Sequence, residues 1–550
     1  MNKADTIIKG KIYTADDNNS IIEMLAIKDG RIIYAGSDDE LNSFVSSETE
    51  VIDTGEGIAV PGFIDAHAHP SAATDGIYAI DLTEAQDEES YLKIIREAFA
   101  KNSDINLVYG FGWSMGAFGA KGPVASALDQ ITGNVPAVLW DTGYHNLWAN
   151  TAALELAGFD QNPDSEDTNV VRDKSGKPTG LLKEAAIEEI IMTLPGYTVE
   201  QCKEGIKNYQ QMAIASGHTS VFDACIYNME EKPGYPGLNT LKAYEEMADD
   251  GELIMKTRSC IVIDSPEKES YENNLNFLKE VSARETDEFF KIDTAKYYLD
   301  GALEGGTAFL TSLYLNSEDF YGNSNWDTEA FCDACTMTEE AGFRIHIHSI
   351  GDAATKQSLD GIQTAYEKTG KNDLRHIITH LQLVREEDFE RFARYNVIAA
   401  AQPYWFVRDD MYDVVVEMVG SERANNQYPM KKFYEKGIRV ASSSDFPVTP
   451  NPRPLEAIET AVTRCCPGDA NGKTMLEPAT EKISVKAAIR SFTIDAAYAL
   501  CMEDETGSLE VGKKADLVIL DKNIFEIPDY EISKTNEIRT IINGITVYES

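Results

Sequence analysis

Between about residues 60 and 450, short apolar runs that close on polar residues alternate with Glu-, Lys- and Ala-rich segments of helical spacing. That alternation predicts parallel strands joined by helices, an α/β domain. Eight runs fit as strands: FIDAHAH (63–69), TSVFDA (219–224), TRSCIVI (257–263), TAKYYLDG (294–301), FRIHIHS (343–349), HIITHLQ (376–382), VIAAAQP (397–403) and RVASSSD (439–445). Eight is the number that closes a (β/α)8 TIM barrel. Two more runs, INLVYGFGW (105–113) and PAVLWDTG (136–143), fall before the second strand, so about 70–215 reads as a large insertion after strand 1.

The ends of the chain keep a different period. TIIKGKIY (6–13) alternates apolar and polar, and EMLAIKDGRIIYAGS turns on Asp29-Gly30. ADLVILD and RTIINGITVYE repeat the style at the C-terminus, the latter turning on Asn543-Gly544. Asp-Gly and Asn-Gly supply the positive φ of tight hairpins. Termini tend to lie close together. The expectation is therefore a small β-sandwich built from both ends (1–60 and 501–550), flanking a barrel over 61–450 and barrel-closing helices over 451–500.

Composition narrows the function. The chain has 550 residues, with 49 Lys and Arg against 92 Asp and Glu, a formal net charge of −43. Such a field repels phosphate and argues against nucleic acid or an anionic membrane surface as partner. No apolar run is long enough to span a membrane, and the start, MNKADTIIKGKIYTADD, has no signal-like apolar core, so the expected location is cytoplasmic. The eight cysteines are scattered, with one CxxC (Cys332, Cys335) in a helix-like stretch, and read as ordinary thiols.

Chemistry gathers at the predicted strand ends, where barrels of this kind carry their active sites. His67 and His69 end the first strand, Lys296 and Asp300 belong to the fourth, His348 ends the fifth, His380 the sixth and Asp445 the eighth. Side chains two apart on a strand point the same way, so His67 and His69 can grip one ion. Four strand-end histidines and an aspartate suit Zn²⁺ or another divalent first-row metal. His346 also points inward by parity, whereas His218 and His376 read as structural.

PGFIDAHAHP (61–70), HSIGDAA, THLQ and SSSDFP, in that order, resemble the amidohydrolase superfamily. DTGYHNLWANTAAL (141–154), PTGLLKEAA (178–186), AKYYLDGALEGGTA (295–308), QPYW (402–405) and GSLEVGKKADLVILD (507–521) are similar to its YtcJ-like branch (amidohydrolase family 3), which includes N-substituted formamide deformylases. The resemblance implies that His67, His69, Lys296, His348, His380 and Asp445 are metal ligands. It implies Zn²⁺, one ion or two, with two bridged by a carboxylated Lys296, and it selects His348 over His346. Trp113, Asp141, Glu184, Asp300, Gln402 and Tyr404 become expected substrate contacts, and His145 a catalytic residue that polarises a carbonyl. Trp148 and Asn150 are read as packing. A homodimer is the implied assembly.

The expected activity is hydrolysis of a C–N bond in a small-molecule amide or N-substituted formamide by a metal-activated hydroxide, with Asp445 as proton shuttle. Two alternatives stay open. One is a mononuclear deaminase of the same superfamily, which would leave Lys296 without a task. The other is a non-catalytic regulatory or binding member, which would be expected to have lost ligands.

Overall fold

The computed structural model describes residues 3–101, 105–118, 122–142, 146–159, 169–183, 185–284, 288–409 and 411–550. They divide into two compact units. The first comprises Met1–Pro70, Tyr209–Asn228 and Tyr244–Ser550, and the second Ser71–Asn208 and Met229–Ala243.

The first unit contains a parallel eight-stranded sheet in sequential order: Phe63–Ala68, His218–Asp223, Lys256–Val262, Phe290–Tyr298, Arg344–Ser349, Ile377–His380, Ile398–Ala401 and Val440–Ser442. These are the eight runs read as barrel strands. Most are buried on both faces, as in IAAA of Ile398–Ala401, because helices cover a parallel barrel outside while side chains fill it inside. Ile64, Ala66, Ile398 and Ala441 join Ala496, Ala497 and Leu500, on and after the helix Ile494–Ala499, in one apolar cluster.

The first and last strands meet through their ends rather than a long ladder. Asp445 N–H donates to His67 O and His69 N–H to Phe446 O, both at 2.8 Å. The buried Asp65 carboxylate accepts from Ser444 N–H (3.0 Å), Ser444 Oγ (2.5 Å) and His67 N–H (3.2 Å). One carboxylate thus staples the two strands that carry His67 and Asp445. Burial pushes Asp65 up to about 7, against the pull of those donors.

Both ends of the chain share one further sheet, ordered Ile545–Glu549, Glu537–Ile542, Leu517–Leu520, Ile58–Pro61, Thr6–Tyr13, Ile21–Lys28 and Arg31–Gly36, with Glu50–Asp53 beside Thr6–Tyr13. Asp29-Gly30 and Asn543-Gly544 form the hairpin turns, each with two positive φ angles (48° and 75°, 50° and 74°). A buried ion pair, Lys256 with Asp516, ties this sheet to the third barrel strand, and Thr506 Oγ1 also donates to Asp516 (2.7 Å).

The second unit is built on a six-stranded sheet whose order is Val170–Arg172, Pro178–Lys183, Asn146–Ala149, Ala137–Asp141, Val108–Trp113 and Ile80–Asp81. The two runs set aside from the barrel count pair here, in parallel, with Val108 opposite Ala137.

Candidate metal centre

Strand register puts the candidate ligands at neighbouring levels. Lys296 lies opposite His346, Tyr298 opposite His348, and Ser349 opposite His380. His67 is the last residue but one of the first strand, and His69 follows that strand directly. Both Nε2 atoms converge on Asp445 Oδ1, at 3.2 and 3.1 Å. Nitrogen or oxygen atoms of His67, His380 and Asp445 all lie within 4.8 Å of one another. The His348 and His380 rings are 4.5 Å apart, and those of His67 and His380 5.1 Å.

Two neighbours fix how these rings point. Gln402 Nε2 donates to Thr379 Oγ1 (3.1 Å) and Ser443 Oγ (2.8 Å), which turns its Oε1 toward His380 Nδ1 at 3.0 Å. His380 therefore carries its proton on Nδ1 and keeps the Nε2 lone pair for a ligand role. Trp405 stacks on the same ring, 5.6 Å between centroids. His346 lies behind His67, with His346 Nε2 2.7 Å from His67 Nδ1 and its ring stacked on Phe222. That contact leaves His67 Nε2 facing Asp445.

The electrostatics suit a cation. Burial pushes His67 and His380 well below the ordinary imidazole range and His348 down to about 4. They are neutral at pH 7, the form a metal requires. For His69, burial opposes protonation, but Asp445 and Cys225 beside it outweigh that and push it up to about 10. Asp445 is held below the ordinary carboxylate range: burial opposes ionisation, while the His69 hydrogen bond and nearby positive charge favour it. Lys296 is fully buried, its Nζ has no hydrogen-bond partner among the described residues, and it lies 4.7 Å from the centre of the Tyr298 ring. Burial lowers it to about 8. A bare buried ammonium without an acceptor is costly. This orphaned nitrogen, in a cup of imidazoles and one carboxylate, fits a site that takes divalent metal.

The other expected site residues have varied surroundings. Asp300 accepts backbone N–H groups from Ile350 (3.0 Å), Gly351 (2.8 Å) and Phe309 (2.9 Å), clamping the loops after the fourth and fifth strands. Asp300→Ala would leave these donors unpaired and is expected to cost about 2–4 kcal/mol of stability in urea denaturation, whereas a loss below about 0.5 kcal/mol would show that the loops hold without it. Tyr404 lines the cavity described below, although its buried hydroxyl has no hydrogen-bond partner among the described residues. Trp113 and Asp141 belong to the six-stranded sheet of the second unit. There Trp113 Nε1 donates to Leu139 O (2.7 Å) and Asp141 accepts from Asn146. Asn150 caps the helix Thr151–Leu156 through Ala153 N–H, and Trp148 Nε1 donates to Val124 O. His145 and Glu184 lie outside the described residues. His376 Nδ1 accepts from Ile345 N–H, and His218 Nδ1 meets Ala213 O. No helix among the described residues is long and apolar enough to cross a membrane.

Above the cup opens a cavity of about 540 Å³, with His348, His380 and Asp445 on its floor. Its walls include Glu304, Gln382, Trp405 and Tyr428, which the sequence reading did not single out. Glu304, Gln382 and Trp405 each follow a strand end by a few residues, and that position was the available signal; Tyr428 lies far from any strand end and had none.

Comparison with known proteins bears on the family and the fold. A model of the amidohydrolase family matches residues 50–548. Protein LONG AFTER FAR-RED 3 of Arabidopsis thaliana is 28% identical over 553 residues, covering 99% of this chain and 92% of the relative. Putative amidohydrolase YtcJ of Bacillus subtilis is 28% identical over 547 residues, 98% of each chain. N-substituted formamide deformylase of Arthrobacter pascens is 24% identical over 562 residues, 99% of this chain and 98% of the relative. Among solved structures, an uncharacterised metal-dependent hydrolase from Pyrococcus horikoshii has the same fold, with a TM-score of 0.77 at 24% identity over 95% of this chain and 99% of that one.

Proposed function

The chain belongs to the amidohydrolase family, and on that premise we propose that it is a metal-dependent hydrolase cleaving the C–N bond of an amide or N-substituted formamide. The observation that carries this reading is the convergence of His67 Nε2 and His69 Nε2 on Asp445 Oδ1, with His380 in the same cup. His67, His69, His348, His380 and Asp445 would hold Zn²⁺ or a similar divalent ion. Lys296 would bridge two such ions as a carbamate: its neutral Nζ adds to the carbon of CO₂ and loses one proton to solvent, giving an anion with two oxygens. A divalent ion bound there lowers the proton affinity of water and polarises a carbonyl oxygen.

The protein's own groups would do the rest. Asp445, on the cavity floor, takes up the proton released as water adds to the carbonyl carbon. It then returns that proton to the leaving nitrogen, so the products are a carboxylic acid and an amine. Gln402 and His346 hold the His380 and His67 rings in place. The 24% identity over 98% of an N-substituted formamide deformylase supports a small acyl group as the cleaved part. The deaminase alternative gives Lys296 no work to do.

The test is metal analysis of purified protein followed by a screen of N-formyl and N-acyl amines. At least one equivalent of divalent metal is expected, with amine release that stops on chelation and returns when metal is restored. Metal-replete protein that releases no amine from any of these compounds would refute the activity.

A further inference from the structure

The cavity above the cup is unequal in its charge. Its walls are largely apolar and aromatic, with Trp405, Val407, Met411, Tyr412 and Tyr428 among them. Besides Asp445 on the floor, two carboxylates, Glu304 and Asp409, line it, and among the described residues no Lys or Arg does. Arg408 is not part of the lining; its guanidinium lies over the Tyr412 ring and is 3.8 Å from Asp413.

Glu304 is only partly exposed and is held in place. Its Oε1 accepts from Gln382 Nε2 at 3.0 Å, and the same amide nitrogen donates to Gln427 Oε1 at 2.6 Å. Gln427 in turn donates to Ala424 O at 2.7 Å. This chain of amides fixes one carboxylate oxygen and supplies no positive charge. Among the described residues the side-chain partner of Glu304 is the neutral amide of Gln382, and no Lys or Arg lines the cavity beside it. A carboxylate held only by a neutral donor is left without a countercharge, which a cation would supply.

We propose that the substrate carries a positively charged group, such as a primary ammonium, at the end of an apolar or aromatic body remote from the scissile amide. Glu304 receives that group. The inference rests on the amide-hydrolase reading for which end of the substrate meets the cup. The aromatic walls match the substrate's body and add favourable cation–π contact near its charged end. The net charge of −43 draws cations toward the site and repels anions. An anionic substituent would face Glu304 and Asp409 with no countercharge on the walls.

The experiment uses the metal-replete protein and N-formyl and N-acetyl derivatives of 2-phenylethylamine bearing a para aminomethyl, methyl or carboxylate group. The expected kcat/KM is highest for the aminomethyl compound, about tenfold or more above the methyl one, and lowest for the carboxylate. In Glu304→Gln the ratio of aminomethyl to methyl compound falls to near one. Because that ratio is taken within one protein, a general loss of folded enzyme cancels. A carboxylate compound hydrolysed as well as the aminomethyl one, or a preference that survives Glu304→Gln, overturns the proposal. If none of the compounds is hydrolysed, the hydrolase reading has failed, and the charge preference is judged by calorimetric binding of 4-methylphenethylammonium and 4-methylphenylacetate. Tighter binding of the ammonium that Glu304→Gln abolishes supports it, and equal or reversed binding overturns it.

Discussion

On the proposed mechanism, Asp445→Asn is expected to lower kcat/KM for any accepted amide by about three orders of magnitude, the scale of a lost proton-transfer group combined with a weakened ligand. The substitution keeps the shape of the side chain and removes two abilities. An amide cannot take up a proton near neutral pH, and it is a poorer metal ligand than an anionic oxygen. The fold should survive. Asp445 has a left-handed φ of 56°, a conformation that Asn tolerates better than most residues. Its structural bonds are made by backbone atoms: its N–H to His67 O, and its carbonyl accepting from Val448 N–H. The check is kcat/KM and metal content on protein whose melting temperature matches the parent. Activity within tenfold of the parent would remove Asp445 from the mechanism.

The barrel was legible because its signal is local. FIDAHAH and VIAAAQP are short runs buried on both faces, and each ends where solvent and chemistry begin. A period of two placed His67 and His69 on one side, but the same rule placed His346 and His348 on one side and could not separate their tasks. The structure adds a distance between two of the rings. His346 Nε2 is 2.7 Å from His67 Nδ1, a pairing between strands far apart in sequence that no local pattern encodes. The Asp65–Ser444 staple and the Gln402–His380 contact were hidden for the same reason, since each exists only once the barrel closes. Loop geometry hid more. His380, Leu381 and Asp445 all take positive φ values, which turn the chain sharply at the rim, and beyond the first of these turns Gln382 reaches Glu304 within a hydrogen bond. Sequence alternation carries no information about such turns.

Lys296→Met should give a protein that is more stable without metal and nearly inactive with it. Lys296 is fully buried, and its Nζ has no hydrogen-bond partner among the described residues. Methionine fills a similar volume without an amine to desolvate. In chelator-treated protein the exchange is therefore expected to add about 1–3 kcal/mol of stability, as when a buried charge yields to an apolar side chain. Function pays the opposite way, a common relation at sites held in strained electrostatics. On the proposed carbamate, losing its oxygens is expected to lower metal content and to cut turnover by about a hundredfold or more. Lys296→Ala separates lost chemistry from lost packing, because the space it leaves can admit acetate or propionate, whose two oxygens replace those of the carbamate. Added carboxylic acid should restore metal binding and part of the activity to the alanine variant and do nothing for the methionine one. Protein prepared in ¹³C-bicarbonate should show a carbamate carbon signal that both variants lack. A methionine variant that keeps full turnover, or that is less stable than its parent after chelation, would mean that the Lys296 ammonium has a partner and a different purpose.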